Sequence, residues 1–136
     1  PYTLETPWVS GACLAIPHAA FLELGGFAPE FFMYCEDVDL SWRARAHGFV
    51  LRICPAALFF HEVTHRELAN ERRKMIFDSG VILARKWGNP AFENWLVGEL
   101  AAMGYPSPIS NVTPVPLSWH KYADFTHEFS FSITRW

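Results

Sequence analysis

Two acids stand side by side in the stretch Tyr34-Cys35-Glu36-Asp37-Val38-Asp39-Leu40. From Glu36 to His47 the acids come first and the bases Arg43 and Arg45 later, the order the helix dipole favours, and Gly48 stands at the C-terminal stop. A carboxylate in such a first turn, delivered by a loop, is both held and open to a cleft, which suits a general base. The dipole keeps the group ionised at neutral pH, as a base requires. The plainer reading is that acids in a first helical turn cap free amides. Asp39 and Arg43 read as an i,i+4 ion pair on the helix surface, with Val38 and Trp42 paired on another face.

A second constellation is His61-Glu62-Val63-Thr64-His65, which matches His-Glu-x-x-His, where two helical histidines bind zinc and the glutamate activates water. That chemistry needs one helix through both histidines. Leu58 to Glu62 instead follows Pro55 with strand-like aromatic residues, and no third ligand is evident, so a zinc hydrolase is the subordinate reading. His61 also has a bland reading, a strand-end histidine bonded to backbone. Phe31, Phe32, Tyr34 and Trp42 read as core packing before a sugar-stacking platform.

The elements that must position these groups follow from pattern. Trp8 to Ile16 reads as a buried strand closed by Pro17, followed by a short helix with Ala20, Phe21 and Leu24 at helical spacing and Gly25-Gly26 at its end. The aromatic stretch 27–35 is a packed loop. Phe49 to Cys54 and Ala57 to Glu62 read as short strands separated by Pro55-Ala56. Arg66 to Trp87 is an amphipathic helix with Leu68, Met75, Ile76, Ser79, Ile82 and Leu83 near one face, stopped by Gly88-Asn89-Pro90. Ala91 to Met103 is a further helix that should pack on it. Prolines at 106, 108, 114 and 116 then break regular structure, and the aromatic end serves as an extended cover or a partner surface.

A chain of 136 residues is one domain at most, and half of it is hydrophobic, enough for a core. A net charge of −3 with scattered bases excludes a phosphate-tracking nucleic-acid surface. No apolar run spans a membrane and no signal peptide opens the chain. The odd set Cys13, Cys35 and Cys54 reads as buried thiols in a reducing compartment, hence a cytoplasmic location. The chain opens on Pro1 and reaches a strand-like stretch within ten residues, as though cut from something longer.

The run from Ser10-Gly11-Ala12-Cys13-Leu14-Ala15-Ile16-Pro17, through Phe21-Leu22-Glu23-Leu24-Gly25-Gly26-Phe27, to Phe31-Phe32-Met33-Tyr34-Cys35-Glu36-Asp37-Val38-Asp39-Leu40-Ser41-Trp42-Arg43 resembles the second half of family 2 glycosyltransferases of the GT-A fold, the rhamnosyltransferase-like ones in particular. The likeness continues through His47-Gly48-Phe49 to Leu58-Phe59-Phe60-His61-Glu62 and covers about the first half of the chain. It implies an α/β, partial GT-A fold: an acceptor-side, catalytic-base half over 1–65, a helical extension over 66–103, and a Pro-rich, aromatic tail over 104–136.

The resemblance also implies roles. Asp37 is the catalytic base of an inverting sugar transfer, taking the proton of the attacking hydroxyl while the nucleotide leaves from the opposite face. Glu36 and Tyr34 lie beside the acceptor, and Gly11 lets backbone approach the cleft. His61 completes a divalent-metal site, for magnesium or manganese, that holds the donor diphosphate. The partners are a nucleotide-sugar donor and a saccharide or lipid-linked acceptor in cell-envelope polysaccharide synthesis, at a cytoplasmic site, either free or peripheral to the inner face of the membrane. The chain departs from the family pattern at His18, where an arginine is usual, and at Ala28, where an aspartate is usual. The donor-binding units and their Asp-x-Asp belong upstream, so this piece alone is expected to be inactive. A non-catalytic interaction module that self-associates through exposed apolar surface is the alternative.

Overall fold

The structure, a computed structural model, describes residues 4–60 and 69–125. Four helices organise it: α1 (His18–Glu23), α2 (Glu36–Ala46), α3 (Ala69–Lys86) and α4 (Pro90–Ala102), followed by a 3₁₀ helix at Leu117–Tyr122. Pro17 precedes α1, and Gly25 and Gly26, at φ 77° and 72°, end it where a side chain would be strained. Asn89 caps α4, its side chain accepting from the Phe92 amide at 3.0 Å, with Pro90 at the first helical position.

α3 and α4 form an antiparallel hairpin. Arg85 meets Glu93 at 2.7 Å near the turn and Arg73 meets Glu99 at 2.9 Å farther along. The hairpin buries Ile76, Phe77, Val81, Leu96 and Leu100. On the other side of α3, Ile82, Leu83 and Trp87 meet Val38 and Trp42 of α2 and Ala28, Phe31 and Cys35 of the preceding loop, with Trp42 edge-on to Trp87 at 5.2 Å between centroids. α3 is thus buried on nearly all sides from Ile76 onward, whereas its sequence pattern indicated one apolar face; small and aliphatic residues at Val81 and Ala84 admit neighbours all round. Beyond α4 the chain turns back over the core. The Val115 amide donates to the Lys86 carbonyl at 3.0 Å, Arg85 donates to the Pro108 carbonyl at 2.7 Å, and Arg45 of α2 donates to the Tyr122 carbonyl at 2.8 Å. The described part of the tail thus packs over α2 and α3.

The strand expectations do not hold among the described residues. The only β pairing there is an isolated antiparallel bridge, Glu5 to Arg52, flanked by Thr6 N to Leu51 O at 3.2 Å and Ile53 N to Leu4 O at 2.8 Å. The stretch 8–16 is irregular because side chains and a turn take its amides: Val9 donates to Ser41, Gly11 to Asp37, Ala12 to Ser10 Oγ and Cys13 to the Ser10 carbonyl. A ladder cannot form on amides already used. Residues 57–60 are without regular structure and expose Leu58, Phe59 and Phe60. The α/β assignment is therefore not met by the described residues, which are mainly helical. Of the cysteines, all free, only Cys35 is buried; Cys13 and Cys54 lie in irregular, exposed segments. No described helix is long and apolar enough to cross a membrane.

Candidate active site

The Glu36-Asp37 pair opens α2 as the sequence indicates, and the chain enters the helix through two successive left-handed residues, Tyr34 at φ 68° and Cys35 at φ 66°. Neither is glycine, so each costs about 1–2 kcal/mol. Burial of Phe31 and Cys35, and the Ser79 hydroxyl donating to the Met33 carbonyl at 2.6 Å, hold the loop in that form. Burial pushes the Cys35 thiol well up, with the Asp37, Glu36 and Asp39 charges adding to it, so it stays protonated and inert.

Asp37 is tied at both oxygens. The Gly11 amide donates to Oδ2 at 2.7 Å and the Val38 amide to Oδ1 at 2.8 Å. One bond clamps segment 8–13 onto the helix; the other satisfies a free first-turn amide. The Ser41 hydroxyl completes the clamp by donating to the Asp37 carbonyl at 2.7 Å while accepting from Val9 at 3.1 Å. A Cβ on Gly11 would stand 3.5 Å from both Cβ and Oδ2 of Asp37, an ordinary van der Waals contact. Each oxygen keeps a lone pair for a substrate proton.

Burial raises the Asp37 carboxyl, and the amides of Gly11 and Val38 pull it partway back. Glu36 is raised too, first by burial, against a lowering backbone bond, and further by the charge on Asp37. Its Oε2 has no hydrogen-bond partner among the described residues. Burial thus raises both carboxyls; the Gly11 and Val38 amides oppose it at Asp37, while the Asp37 charge adds to it at Glu36. The pair offers a carboxylate to accept a proton and a neighbour able to bond a hydroxyl.

The sign for pH follows. A carboxyl raised in the fold binds more protons folded than unfolded, so its contribution to stability declines as pH climbs from the ordinary carboxylate range through the raised value. A base needs the opposite form. Turnover by a protein that uses Asp37 is expected to climb with pH along a limb whose midpoint lies above the ordinary aspartate value. A pH profile of kcat/KM checks this, and a flat profile through that range would remove Asp37 from the role.

Asp39 is not on the surface. It is fully buried and accepts from Arg43 Nε at 2.8 Å, Lys86 Nζ at 3.2 Å and Trp87 Nε1 at 2.9 Å. The i,i+4 pair is real, but α3 closes over it, which spacing within α2 does not reveal. Arg43 also donates to the carbonyls of Leu24 and Gly26, and Lys86 reaches Glu30 at 3.4 Å. The hub fixes α2 to α3 and to the start and middle of the loop ahead of the acids.

Tyr34 is half-buried and packs against both main core clusters. His61, assigned to a metal, and Glu62 and His65 of the zinc-like motif lie outside the described residues, as does the 65/66 boundary. Among the described residues no three His, Cys, Asp or Glu side chains gather where they could hold an ion.

The chain matches the model of glycosyl transferase family group 2 over residues 4–133. It is 41% identical over 58 residues to an N-acetylglucosaminyl-diphospho-decaprenol L-rhamnosyltransferase of Mycobacterium tuberculosis, a match covering 43% of this chain and 19% of that protein. Over 58 residues it is 34% identical to the rhamnosyltransferase WbbL of Escherichia coli, covering 43% and 22%. The matched stretch is thus about a fifth of each relative's length. No solved structure matches.

Proposed function

The chain belongs to glycosyl transferase family group 2, and from that premise we propose that it supplies the acceptor side and the base of an inverting transfer from a nucleotide sugar to a saccharide or lipid-linked acceptor. The observation that carries this is Asp37, held by the Gly11 and Val38 amides at the start of α2 beside a second acid, Glu36. In the proposed step Asp37 takes the proton of the acceptor hydroxyl. The freed oxygen pair attacks the anomeric carbon, and the bond to the nucleoside diphosphate breaks on the opposite face, its electrons leaving with the phosphate. Glu36 bonds the acceptor, and the Gly11 amide holds Oδ2.

The relatives' names support rhamnose as the sugar moved, and cell-envelope polysaccharide as the product class rests on the family resemblance. The GT-A fold, donor binding by parts of the protein other than this chain, and a magnesium or manganese ion with His61 among its ligands belong to the same proposal, carried by the family resemblance. The test is transfer by the full-length protein from a nucleoside-diphosphate rhamnose to a polyprenyl-diphosphate N-acetylglucosamine, with the anomeric configuration of the product read by NMR. Retention of configuration, or no transfer from any nucleotide sugar, would sink it.

The exposed apolar run Val50, Ile53, Leu58, Phe59 and Phe60 favours a second reading, self-association of the chain. Its sedimentation coefficient is expected to rise with concentration, and Leu58→Lys with Phe60→Lys to return it to a monomer. A wild-type chain that sediments as a monomer at all concentrations counts against this.

A further inference from the structure

Of the four aromatics around the acid pair, Phe31 and Trp42 are core residues and Tyr34 is half-buried, yet Phe32 is 90% exposed. The loop bearing it is not slack. Ala28, Phe31 and Cys35 are buried on either side; the Phe31 amide donates to the Ala28 carbonyl at 3.2 Å. Glu30 pairs with Lys86, whose ammonium also stands 5.5 Å above the Phe31 ring, and Ser79 holds the Met33 carbonyl. Turning Phe32 inward would break these ties, so the fold itself presents the ring to solvent, with Met33 exposed beside it.

Only three residues separate Phe32 from Glu36, so the Cα atoms of the two lie within roughly 15 Å of each other even on a straight chain. Between Phe27 and Asp37 the chain carries three acids, Glu30, Glu36 and Asp37, and no base. That charge disfavours a phosphate or an anionic membrane surface at the loop. An apolar ring beside carboxylates suits a ligand with one C–H face and a rim of hydroxyls. Resting on the reading above, we propose that Phe32, with Met33 at its side, is the platform for the apolar face of the acceptor hexopyranose whose hydroxyl is deprotonated at Asp37. The diphosphate and lipid of such an acceptor then point away from the acids.

The test uses the full-length protein and N-acetylglucosamine on a short prenyl diphosphate. Phe32→Ala is expected to raise the acceptor KM about tenfold, the scale of a lost aromatic contact, with the donor KM within about twofold, and Phe32→Trp to restore the acceptor KM. An unchanged acceptor KM in Phe32→Ala overturns the platform and leaves the transferase reading standing. Should the wild type transfer nothing, titration of the same probe separates the two ideas. Binding that weakens in Phe32→Ala keeps the platform while the transferase reading fails, and binding that is absent or indifferent to Phe32 overturns it. A drop in thermal midpoint, a loss of binding to phosphatidylglycerol vesicles or a change in sedimentation, each with acceptor affinity unaltered, also overturns it, giving the ring to another segment, a membrane or a second copy.

Discussion

Asp37→Asn in the full-length protein is expected to lower transfer by about 10²–10⁴-fold, the usual worth of a positioned base, with donor affinity nearly unchanged. Asparagine keeps the shape and one acceptor oxygen, so one of the two amide ties, from Gly11 or Val38, survives. What is lost is the charge that receives the proton. Glu36→Gln makes the informative control. It should raise the acceptor KM more than it lowers kcat, because in the proposed step Glu36 bonds the acceptor while the proton goes to Asp37. Near-normal transfer by Asp37→Asn would reassign Asp37 to the clamp it plainly makes with Gly11. A rate loss accompanied by lost donor binding would point to a disturbed fold instead.

The second large effect is on stability. Asp39→Ala leaves Arg43 and Lys86, whose side chains are 11% and 8% exposed, without their shared carboxylate. Among the described residues, two buried cations then face each other with Glu30, the Phe31 ring and the Leu24 and Gly26 carbonyls left to answer them. Breaking a buried pair by removing one partner costs about 3–5 kcal/mol, so thermal unfolding should begin on the order of ten degrees lower. Replacing the whole set, with Asp39→Leu, Arg43→Met, Lys86→Met and Glu30→Gln together, should recover much of the loss because no member of the hub is left charged and unpaired. Calorimetry on the three proteins decides it. A single variant as stable as the wild type would show that the hub contributes nothing to holding α2 on α3.

The contrast between these two acids shows what the sequence exposes and what it hides. α2 was legible to within a residue: acids at its start, bases later and Gly48, at φ 87°, just beyond its end. The acid pair was legible for the same reason, since helix-end chemistry is local. Asp39 was misplaced to the surface because its burial is decided by Lys86 and Trp87, 47 and 48 residues away. The strands over 8–16 and 49–54 failed for a related reason. Alternating apolar residues state a wish for a neighbour, but Ser41 and Asp37 reached the amides of 8–13 first. Phe32 shows the limit most sharply, since Phe31 and Phe32 are identical in type and adjacent, and only the loop's path buries one and leaves the other 90% exposed.

The returning tail bears on the order in which the molecule can assemble. The α3–α4 hairpin needs only neighbours in sequence, joined by a turn of a few residues, and can form early. The lock between Asp39 and Trp87 closes a loop of 48 residues, and the bond from Arg45 to the Tyr122 carbonyl one of 77. Loop closure of that length is slow relative to local pairing. During synthesis α2 therefore emerges long before the segments that fasten it, and the packing around Trp42 is complete only after Phe125 has come to rest against it.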